Sequence, residues 1–315
     1  HLGINTQAED FTVIGLGDMA GDVFGNGMLL SRHIKLLAAF NHQHIFLDPN
    51  PDVESSFLER ERLFNLTTSS WADYDITKIS VGGGVFKRSA KFIPLSKEVR
   101  EWLGITVEGE ISPDELINTL LKAKADLFYN GGIGTYIKSE TESHEEVKDK
   151  ANDAIRVNGK DSQVNVVVEG GNLGVTQLGR IEFARNGGLI CTYAIDNSAG
   201  VDCSDHEVNI KILFADIMQK TGMTIEERNK ILESMTENVS RLVLRDNYLQ
   251  TQILSYNDVR TMELFSVHVN FIEKLEKRGE LDRKVEFLPS HQEIIERQRA
   301  GIGLTTPELS VLLAY

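Results

Sequence analysis

The sequence predicts an α/β fold: a Rossmann-like, doubly wound and mostly parallel sheet, followed by an all-helical C-terminal region. Three observations support this prediction. A glycine-rich string follows a short apolar run early in the chain, later apolar runs also end in glycine or asparagine, and strand patterns give way to charged amphipathic segments after Ser204. Strands that alternate with helices and end in such loops are typical of open sheets that bind ligands at the strands' carboxyl ends. We therefore expect a sheet domain over residues 1–204 and a helical region over residues 205–315.

The first elements follow from the spacing of apolar residues. The run from Phe11 to Ile14 is short, partly β-branched and followed by a glycine, which predicts a buried parallel strand. Residues 19–40 carry apolar side chains on a roughly helical period and predict a helix, in which Gly25 and Gly27 cause a kink or allow close packing. Residues 45–48 then predict the second strand.

Further elements continue this alternation. Residues 53–64 predict a helix, and the glycine-rich residues 67–91 predict a long loop centred on Gly82–Gly84, to which we assign no role. A helix restarts after Ser112, where a serine, a proline and a glutamate form a helix-start signal. The β-branched residues 164–168 predict a later strand of the sheet.

The C-terminal region has a different pattern. Charged amphipathic helices are predicted at residues 226–245, 258–277 and 292–299, and little strand signal remains beyond residue 205. No motif indicates a role for the residues beyond about Asp246.

The charge balance indicates the kind of partner. With 47 acidic and 33 basic residues the formal net charge is −14 at pH 7, which opposes binding to nucleic acid or anionic membranes and favours a small-molecule partner. No apolar run approaches the ~18 residues of a membrane span. The two cysteines, Cys191 and Cys203, lie in no metal-ligand spacing and are typical of a reducing compartment. We therefore expect a cytoplasmic protein without a bound metal.

The string Gly15-Leu16-Gly17-Asp18-Met19-Ala20 matches the G-x-G-x-x-G/A fingerprint of dinucleotide-binding domains. It lies between a predicted strand and a predicted helix, as the fingerprint requires. The first glycine permits a tight turn, the second lets the backbone approach a pyrophosphate, and the alanine lets the helix pack near the strand. The Asp18 carboxylate would repel a phosphate but stabilises a helix start, so we interpret it as a helix-start residue. The predicted cofactor-binding loop comprises Gly15, Gly17, Asp18, Met19 and Ala20.

An acidic residue completes the fingerprint. Asp48 ends the predicted second strand, where a carboxylate can accept hydrogen bonds from the adenosine ribose hydroxyls and thereby favour NAD over NADP. Its distance from the glycines exceeds the usual ~20 residues, which implies an enlarged first crossover. Alternatively, Asp48 caps the proline-rich turn at residues 49–52.

Two later segments carry a family resemblance. Glu169-Gly170-Gly171-Asn172 resembles the E-G-A-N segment of glutamate and related amino-acid dehydrogenases, and Asn197 to Ser204 resembles their N-A-G-G-V-x-x-S segment, with departures at Gly171, Ser198 and Ala199. The order along the chain agrees as well. The longer strings at residues 15–27, 45–51 and 129–136 resemble the large-subunit bacterial class of NAD-specific glutamate dehydrogenase.

The resemblance implies roles for four residues. Asn172 would contact the nicotinamide ribose and Asn197 the nicotinamide end of NAD, while Val201 would line the substrate pocket. Ser204 would donate a hydrogen bond to the side-chain carboxylate of glutamate. The alternative is structural: the two asparagines form turns, and Ser204 caps a helix that begins at Asp205.

The resemblance also implies an activity, the oxidative deamination of L-glutamate to 2-oxoglutarate and ammonia with hydride transfer to NAD. The family's catalytic lysine and aspartate precede the glycine loop, so we assign no catalytic residue in this chain. Lys78, although glycines follow it, comes too late to be that lysine. We expect the chain to be cut at both ends from a longer protein, to be inactive alone, and to form a homo-oligomer when full-length. The alternatives are a dehydrogenase of another amino acid, or a nucleotide-sensing or assembly module.

Overall fold

The chain folds into two units, His1–Cys191 and Thr192–Tyr315. The computed structural model describes residues 2–106 and 108–315. All strands among these residues belong to the first unit, and the second unit is helical where it is described. This arrangement confirms an α/β fold followed by a helical region.

The described part of the first unit contains a six-stranded sheet and two sheets of two strands. The strands are β1 (Phe11–Leu16), β2 (Ile34–Phe40), β3 (His44–Leu47), β4 (Gly84–Lys87), β5 (Ile93–Pro94), β6 (Glu110–Ile111), β7 (Leu127–Asn130), β8 (Ile137–Lys138), β9 (Val157–Asn158) and β10 (Val166–Glu169). The main sheet has the order β10-β7-β1-β2-β3-β4. Strands β10, β7, β1 and β2 run parallel, whereas β3 and β4 continue the sheet in antiparallel pairs. The sheet is therefore mixed, with a parallel half.

Both faces of the main sheet are buried. On β1, Val13 packs into one apolar cluster and Ile14 into the other. Leu36 and Ala38 of β2 divide between the two clusters in the same way. Burial on both faces is characteristic of a doubly wound sheet and explains why these strands are continuously apolar.

Several helices of the first unit begin at side chains that cap them. Asp52 accepts the amide of Ser55 at one helix start, and Ser112 accepts the amide of Glu115 at another, before Pro113 in the first turn. The helices are α1 (Asp22–Leu29), α2 (Val53–Phe64), α3 (Lys97–Leu103), α4 (Pro113–Lys122), α5 (His144–Val147) and α6 (Gln177–Arg185).

The helix predicted over residues 19–40 is wrong. Helix α1 covers only Asp22–Leu29, and β2 follows as a parallel partner of β1, with Phe11 opposite Ile34 and Leu16 opposite Phe40. A strand buried on both faces lacks the alternation that distinguishes it from a buried helix. The glycines of α1 permit close packing: an added Cβ would lie 2.5 Å from Phe64 at Gly25 and 2.6 Å from Tyr129 at Gly27.

The second unit consists of helices among its described residues. They are α7 (Tyr193–Asp196), α8 (Ser198–Thr221), α9 (Ile225–Val259), α10 (Phe265–Arg278), α11 (His291–Ala300) and α12 (Thr306–Leu313). The predicted domain boundary after Ser204 falls inside α8, whereas the contacts divide the chain after Cys191. No helix in the described ranges has the length and apolar character needed to cross a membrane.

Candidate cofactor site

Four parallel strands end together at one edge of the main sheet. We call this the carboxyl edge and define it by the last residues of the four strands, Leu16, Phe40, Asn130 and Glu169. From β1 the chain first builds β2 on one side and later adds β7 on the other. Such a reversal is a topological switch point, where open α/β sheets bind their ligands. The candidate site therefore lies at the carboxyl edge beside β1.

The glycine loop after β1 packs directly against α1. An added Cβ would lie 2.4 Å from the Phe24 ring at Gly15 and 2.7 Å from the Phe24 Cβ at Gly17. Gly17 also has φ +140°, a conformation that side-chain-bearing residues rarely adopt. Its amide donates to Phe40 O over 2.8 Å, and its carbonyl accepts the Trp71 Nε1–H over 2.8 Å. Both predicted glycines are thus required by the packing, and the loop is held from two sides.

The rest of the motif precedes the helix as an additional turn. Helix α1 begins at Asp22, Met19 is buried in the core, and Ala20 is exposed. Asp18 Oδ1 accepts the amide of Ala20 over 3.1 Å and that of Gly21 over 3.0 Å. Asp18 therefore organises the turn that leads into the helix, as a helix-start carboxylate would.

Asp18 also joins the loop to the end of β2. Its Oδ2 accepts the side-chain amide of Asn41 over 2.7 Å, while Asn41 Oδ1 accepts the amides of Gln43 and His44, each over 2.8 Å. Asn41 directly follows β2, where the fingerprint places its ribose-binding residue. Asn41 is absent from the predicted site because the sequence pattern predicts a helix where β2 lies, yet the ~20-residue spacing after Ala20 indicates this position.

Asp48 lies elsewhere. Strand β3 runs antiparallel to β2, so Asp48 lies opposite Leu37, three residues before β2 ends at Phe40. The amide of Asp48 donates to Leu37 O over 2.8 Å. The Asp48 side chain is fully buried, and Oδ1 accepts both the amide and the hydroxyl of Ser80. This position does not fit the predicted contact with a ribose, because Asp48 is neither exposed nor at the carboxyl edge.

The contacts of Asp48 indicate a structural role. Within the described residues its Oδ2 has no hydrogen-bond partner. Burial raises the pKa of the Asp48 carboxyl, although the hydrogen bonds from Ser80 and the charge on Arg60 oppose that shift. An added Cβ at Gly83 would lie 2.5 Å from Leu47 O. Asp48 and the end of β3 therefore anchor the glycine-rich segment around Gly82–Gly84, to which no sequence motif assigns a role.

The loops after β7 and β10 adjoin the glycine loop. Gly131 donates its amide to Leu16 O over 2.8 Å, and Gly170 donates its amide to Asn130 O over 2.8 Å. An added Cβ at Gly171 would lie 2.6 Å from the carbonyl oxygen of Gly132, so these loops are in backbone contact. Asn172 follows at the same edge and is exposed. The structure thus brings Asn172 and the glycine loop to one edge of one sheet.

Glu169, the acidic residue of the E-G-x-N segment, is engaged within the protein. Its Oε2 accepts from Arg180 Nε over 2.6 Å and its Oε1 from Arg180 Nη2 over 2.8 Å. Oε1 also accepts the amide of Val175 over 2.9 Å. Both charged side chains are buried. This ion pair holds the two ends of the loop that carries Asn172.

The other three predicted site residues belong to the second unit. Asn197 lies between α7 and α8, Val201 is half-buried in the first turn of α8, and Ser204 is exposed one turn later. Ser204 donates its hydroxyl to Gly200 O over 2.6 Å. Its alternative role as the cap of a helix beginning at Asp205 is wrong, because α8 begins at Ser198. The spacing of the three predicted residues puts them on one side of the helix start.

Comparisons with known proteins agree on one family. Residues 1–257 match the family model described as "Bacterial NAD-glutamate dehydrogenase, catalytic domain". The NAD-specific glutamate dehydrogenase of Pseudomonas aeruginosa is 56% identical over 99% of this chain, which covers 19% of that protein. That of Mycobacterium tuberculosis is 54% identical over 100% of this chain, which covers 20% of it. The chain thus spans about a fifth of the length of these relatives. A solved glutamate dehydrogenase from Plasmodium falciparum has a TM-score of 0.35 at 15% identity over 73% of this chain and 38% of that one.

Proposed function

The chain belongs to the bacterial NAD-glutamate dehydrogenase family, and on this premise we propose that it forms the NAD-binding part of an enzyme that oxidises L-glutamate to 2-oxoglutarate and ammonia. One observation carries the proposal: the glycine loop lies at the switch point of the sheet, with Gly17 in a conformation and a contact that exclude any side chain. A bare backbone at this place lets a pyrophosphate approach its amides.

The adenosine half of NAD is assigned to the side of β2. In dinucleotide-binding sheets the residue that ends the second parallel strand contacts the adenosine ribose. In this chain Asn41 occupies that position, and its side-chain amide donates a hydrogen bond to the Asp18 carboxylate. We assign the discrimination against NADP to Asp18, because a carboxylate at this corner repels a phosphate on the ribose 2′ oxygen.

The nicotinamide half is assigned to the other side of β1, over the loops after β7 and β10. Asn172 is proposed to contact the nicotinamide ribose, and its exposure at the carboxyl edge supports this role. In the second unit, Asn197 is proposed to hold the nicotinamide end, Val201 to line the substrate pocket and Ser204 to bind the side-chain carboxylate of glutamate. Their common side of α8 supports a shared role.

Bound NAD would accept a hydride from the Cα of glutamate. The residues named above would bind the cofactor and orient the nicotinamide ring, since hydride transfer requires the reacting atoms to be held about 3–3.5 Å apart. We assign no proton-transfer residue to this chain. By resemblance the lysine and aspartate that move protons precede the glycine loop, so we expect NAD binding but no glutamate oxidation by this chain alone.

Calorimetric titration of the chain with NAD tests the proposal. The folded chain is expected to bind NAD, and Gly17→Ala is expected to abolish binding because its methyl group would collide with Phe24 and displace the loop. Gly187→Ala is the matched control. Gly187 also has a positive φ, of +89°. It lies near Leu189, which pairs with Val166 at the start of β10 and thus at the opposite edge of the sheet from the candidate site. Failure of the folded chain to bind NAD, or equal affinity of the Gly17→Ala variant, would remove the site.

The identity of the substrate requires the whole enzyme. A panel of glutamate, leucine and phenylalanine should give oxidation of glutamate alone, and Ser204→Ala should raise KM for glutamate. A preference for another amino acid would contradict glutamate as the substrate but would not contradict the proposed cofactor site.

A further inference from the structure

Two apolar side chains are held in solvent at the carboxyl edge. Ile133, on the loop after β7, is 95% exposed, and Leu173, on the loop after β10, is 56% exposed. A single exposed aliphatic residue is ordinary on a protein surface. These two differ because hydrogen bonds and positive φ angles define the backbone conformation of the loops that carry them.

The loop that carries Ile133 is pinned on both sides of that residue. The Ile133 carbonyl accepts the Tyr136 hydroxyl over 2.9 Å, and the amide of Thr135 donates to Asp149 Oδ2 over 2.7 Å. Gly134 has φ +118°, and an added Cβ there would lie 2.5 Å from a neighbouring asparagine amide. On the other side, Gly132 donates its amide to Asn130 Oδ1 over 3.3 Å. The exposed side chain is therefore a consequence of a defined loop conformation.

Leu173 has an unusual backbone of its own. Its φ of +58° is in the left-handed region, which is uncommon for a bulky residue, and such strained residues cluster at ligand sites. The Leu173 carbonyl accepts the Thr135 hydroxyl over 2.7 Å, and the next carbonyl, of Gly174, accepts the amide of Tyr136 over 2.8 Å. The two loops are thus joined by hydrogen bonds, and each carries one of the exposed apolar side chains at the carboxyl edge.

We infer that Ile133 and Leu173 form the apolar surface against which the nicotinamide ring of NAD rests; this inference rests on the proposed function. The adenosine half is assigned to β2, so the loops of β7 and β10, across β1, face the nicotinamide nucleotide. Of the groups in that half, the ring alone offers a flat face that gains from contact with aliphatic side chains, because ribose and phosphate are polar.

The comparison of NAD with ADP-ribose isolates this contact, since ADP-ribose has the same adenosine, pyrophosphate and second ribose but no nicotinamide. By calorimetry on the whole chain, Ile133→Ser is expected to weaken NAD binding about tenfold and to leave ADP-ribose binding unchanged. Leu173→Asn should act in the same direction, because asparagine tolerates a positive φ but lacks the aliphatic surface. Leu30→Ser is the matched control: Leu30 is 75% exposed at the C-terminal end of α1, away from the carboxyl edge.

The outcomes separate the two proposals. A wild-type chain that binds NAD no better than ADP-ribose, or an Ile133→Ser variant that loses both ligands equally or neither, overturns the nicotinamide contact but keeps the cofactor site. A folded wild-type chain that binds neither ligand overturns the proposed function and this inference together. Circular dichroism of each variant checks folding, and the high exposure of Ile133 makes unfolding by this substitution unexpected.

Discussion

Asn41 donates its side-chain amide to Asp18 over 2.7 Å, and this hydrogen bond ties the end of β2 to the glycine loop after β1. The acceptor Asp18 also receives the amides of Ala20 and Gly21 on its other oxygen. The carboxylate expected at the end of the second strand is thus supplied by the loop itself, and an amide occupies the strand end. The negative charge belongs to Asp18 and the position at the end of β2 belongs to Asn41. Substitutions can therefore measure what each residue contributes to the cofactor preference.

Removal of the Asp18 charge is predicted to reduce discrimination against NADP. For Asp18→Asn the ratio of the NADP Kd to the NAD Kd is expected to fall about tenfold, because the variant lacks the carboxylate that we propose repels the 2′-phosphate. Calorimetric titration with NAD and with NADP measures the ratio.

An exchange variant tests the same idea with the hydrogen bonds retained. In Asp18→Asn/Asn41→Asp the new amide can still donate across the pair, and the charge moves to the end of β2, so the preference for NAD should return. Asp48→Asn is the matched control and should leave the ratio unchanged, because Asp48 is buried away from the edge. A changed ratio of the two Kd values in Asp48→Asn would instead support the ribose contact of Asp48 that the sequence predicts.

Asp48 is predicted to make folding stability depend on pH. Burial raises the pKa of Asp48 in the folded protein, so the folded state binds the proton more tightly than the unfolded chain. The stability contributed by the protonated group is present below the unfolded pKa and is lost as the pH rises through the raised folded pKa. Asp48→Asn keeps an acceptor for Ser80 and does not titrate. Urea unfolding at about pH 4 and about pH 7 should show that the free energy of unfolding of the variant increases relative to that of the wild type as the pH rises. A difference that is constant with pH would contradict this.

Gly17→Ala is predicted to cost more stability than Gly187→Ala. Both glycines have positive φ, but an added Cβ at Gly17 meets Phe24 at 2.7 Å, whereas among the described residues nothing lies within 4 Å of one at Gly187. We expect a loss of about 3 kcal/mol at Gly17, from backbone strain and overpacking, and about 1 kcal/mol at Gly187, from strain alone. Chemical denaturation of both variants measures the two losses, and equal losses would show that Phe24 moves aside.

Arg180→Met is predicted to destabilise the first unit by about 3 kcal/mol, because the buried Glu169 carboxylate would lose its two hydrogen bonds from the guanidinium. The double variant Arg180→Met/Glu169→Gln should recover part of the loss, since no buried charge then lacks its ion pair. Denaturant unfolding of the two variants provides the comparison. A double variant less stable than the single one would show that Glu169 is stabilised mainly by other groups.

Local signals sufficed for some elements and failed for others, such as β4, which lies inside the predicted loop at residues 67–91. Ser112 and Pro113 mark the start of α4 because a cap is a contact between near neighbours in the chain. The run Ile34–Phe40 became a strand instead of a helix because β1 offers it parallel hydrogen bonds and both faces of the sheet are covered. Those partners are distant in sequence, so no periodicity within the run could reveal them.

The sequence by itself determined the family and the place of the glycine loop, because G-x-G after a strand and the E-G-x-N segment are local patterns with specific backbone requirements. Only the tertiary structure decided which acidic side chain lies at the carboxyl edge of the sheet. Asp48 and Asp18 both follow apolar runs, but the antiparallel turn into β3 carries Asp48 back into the core, while the hydrogen bond from Asn41 holds Asp18 at the switch point. Strand direction is set by pairing across the sheet, and pairing depends on residues that the local sequence does not contain.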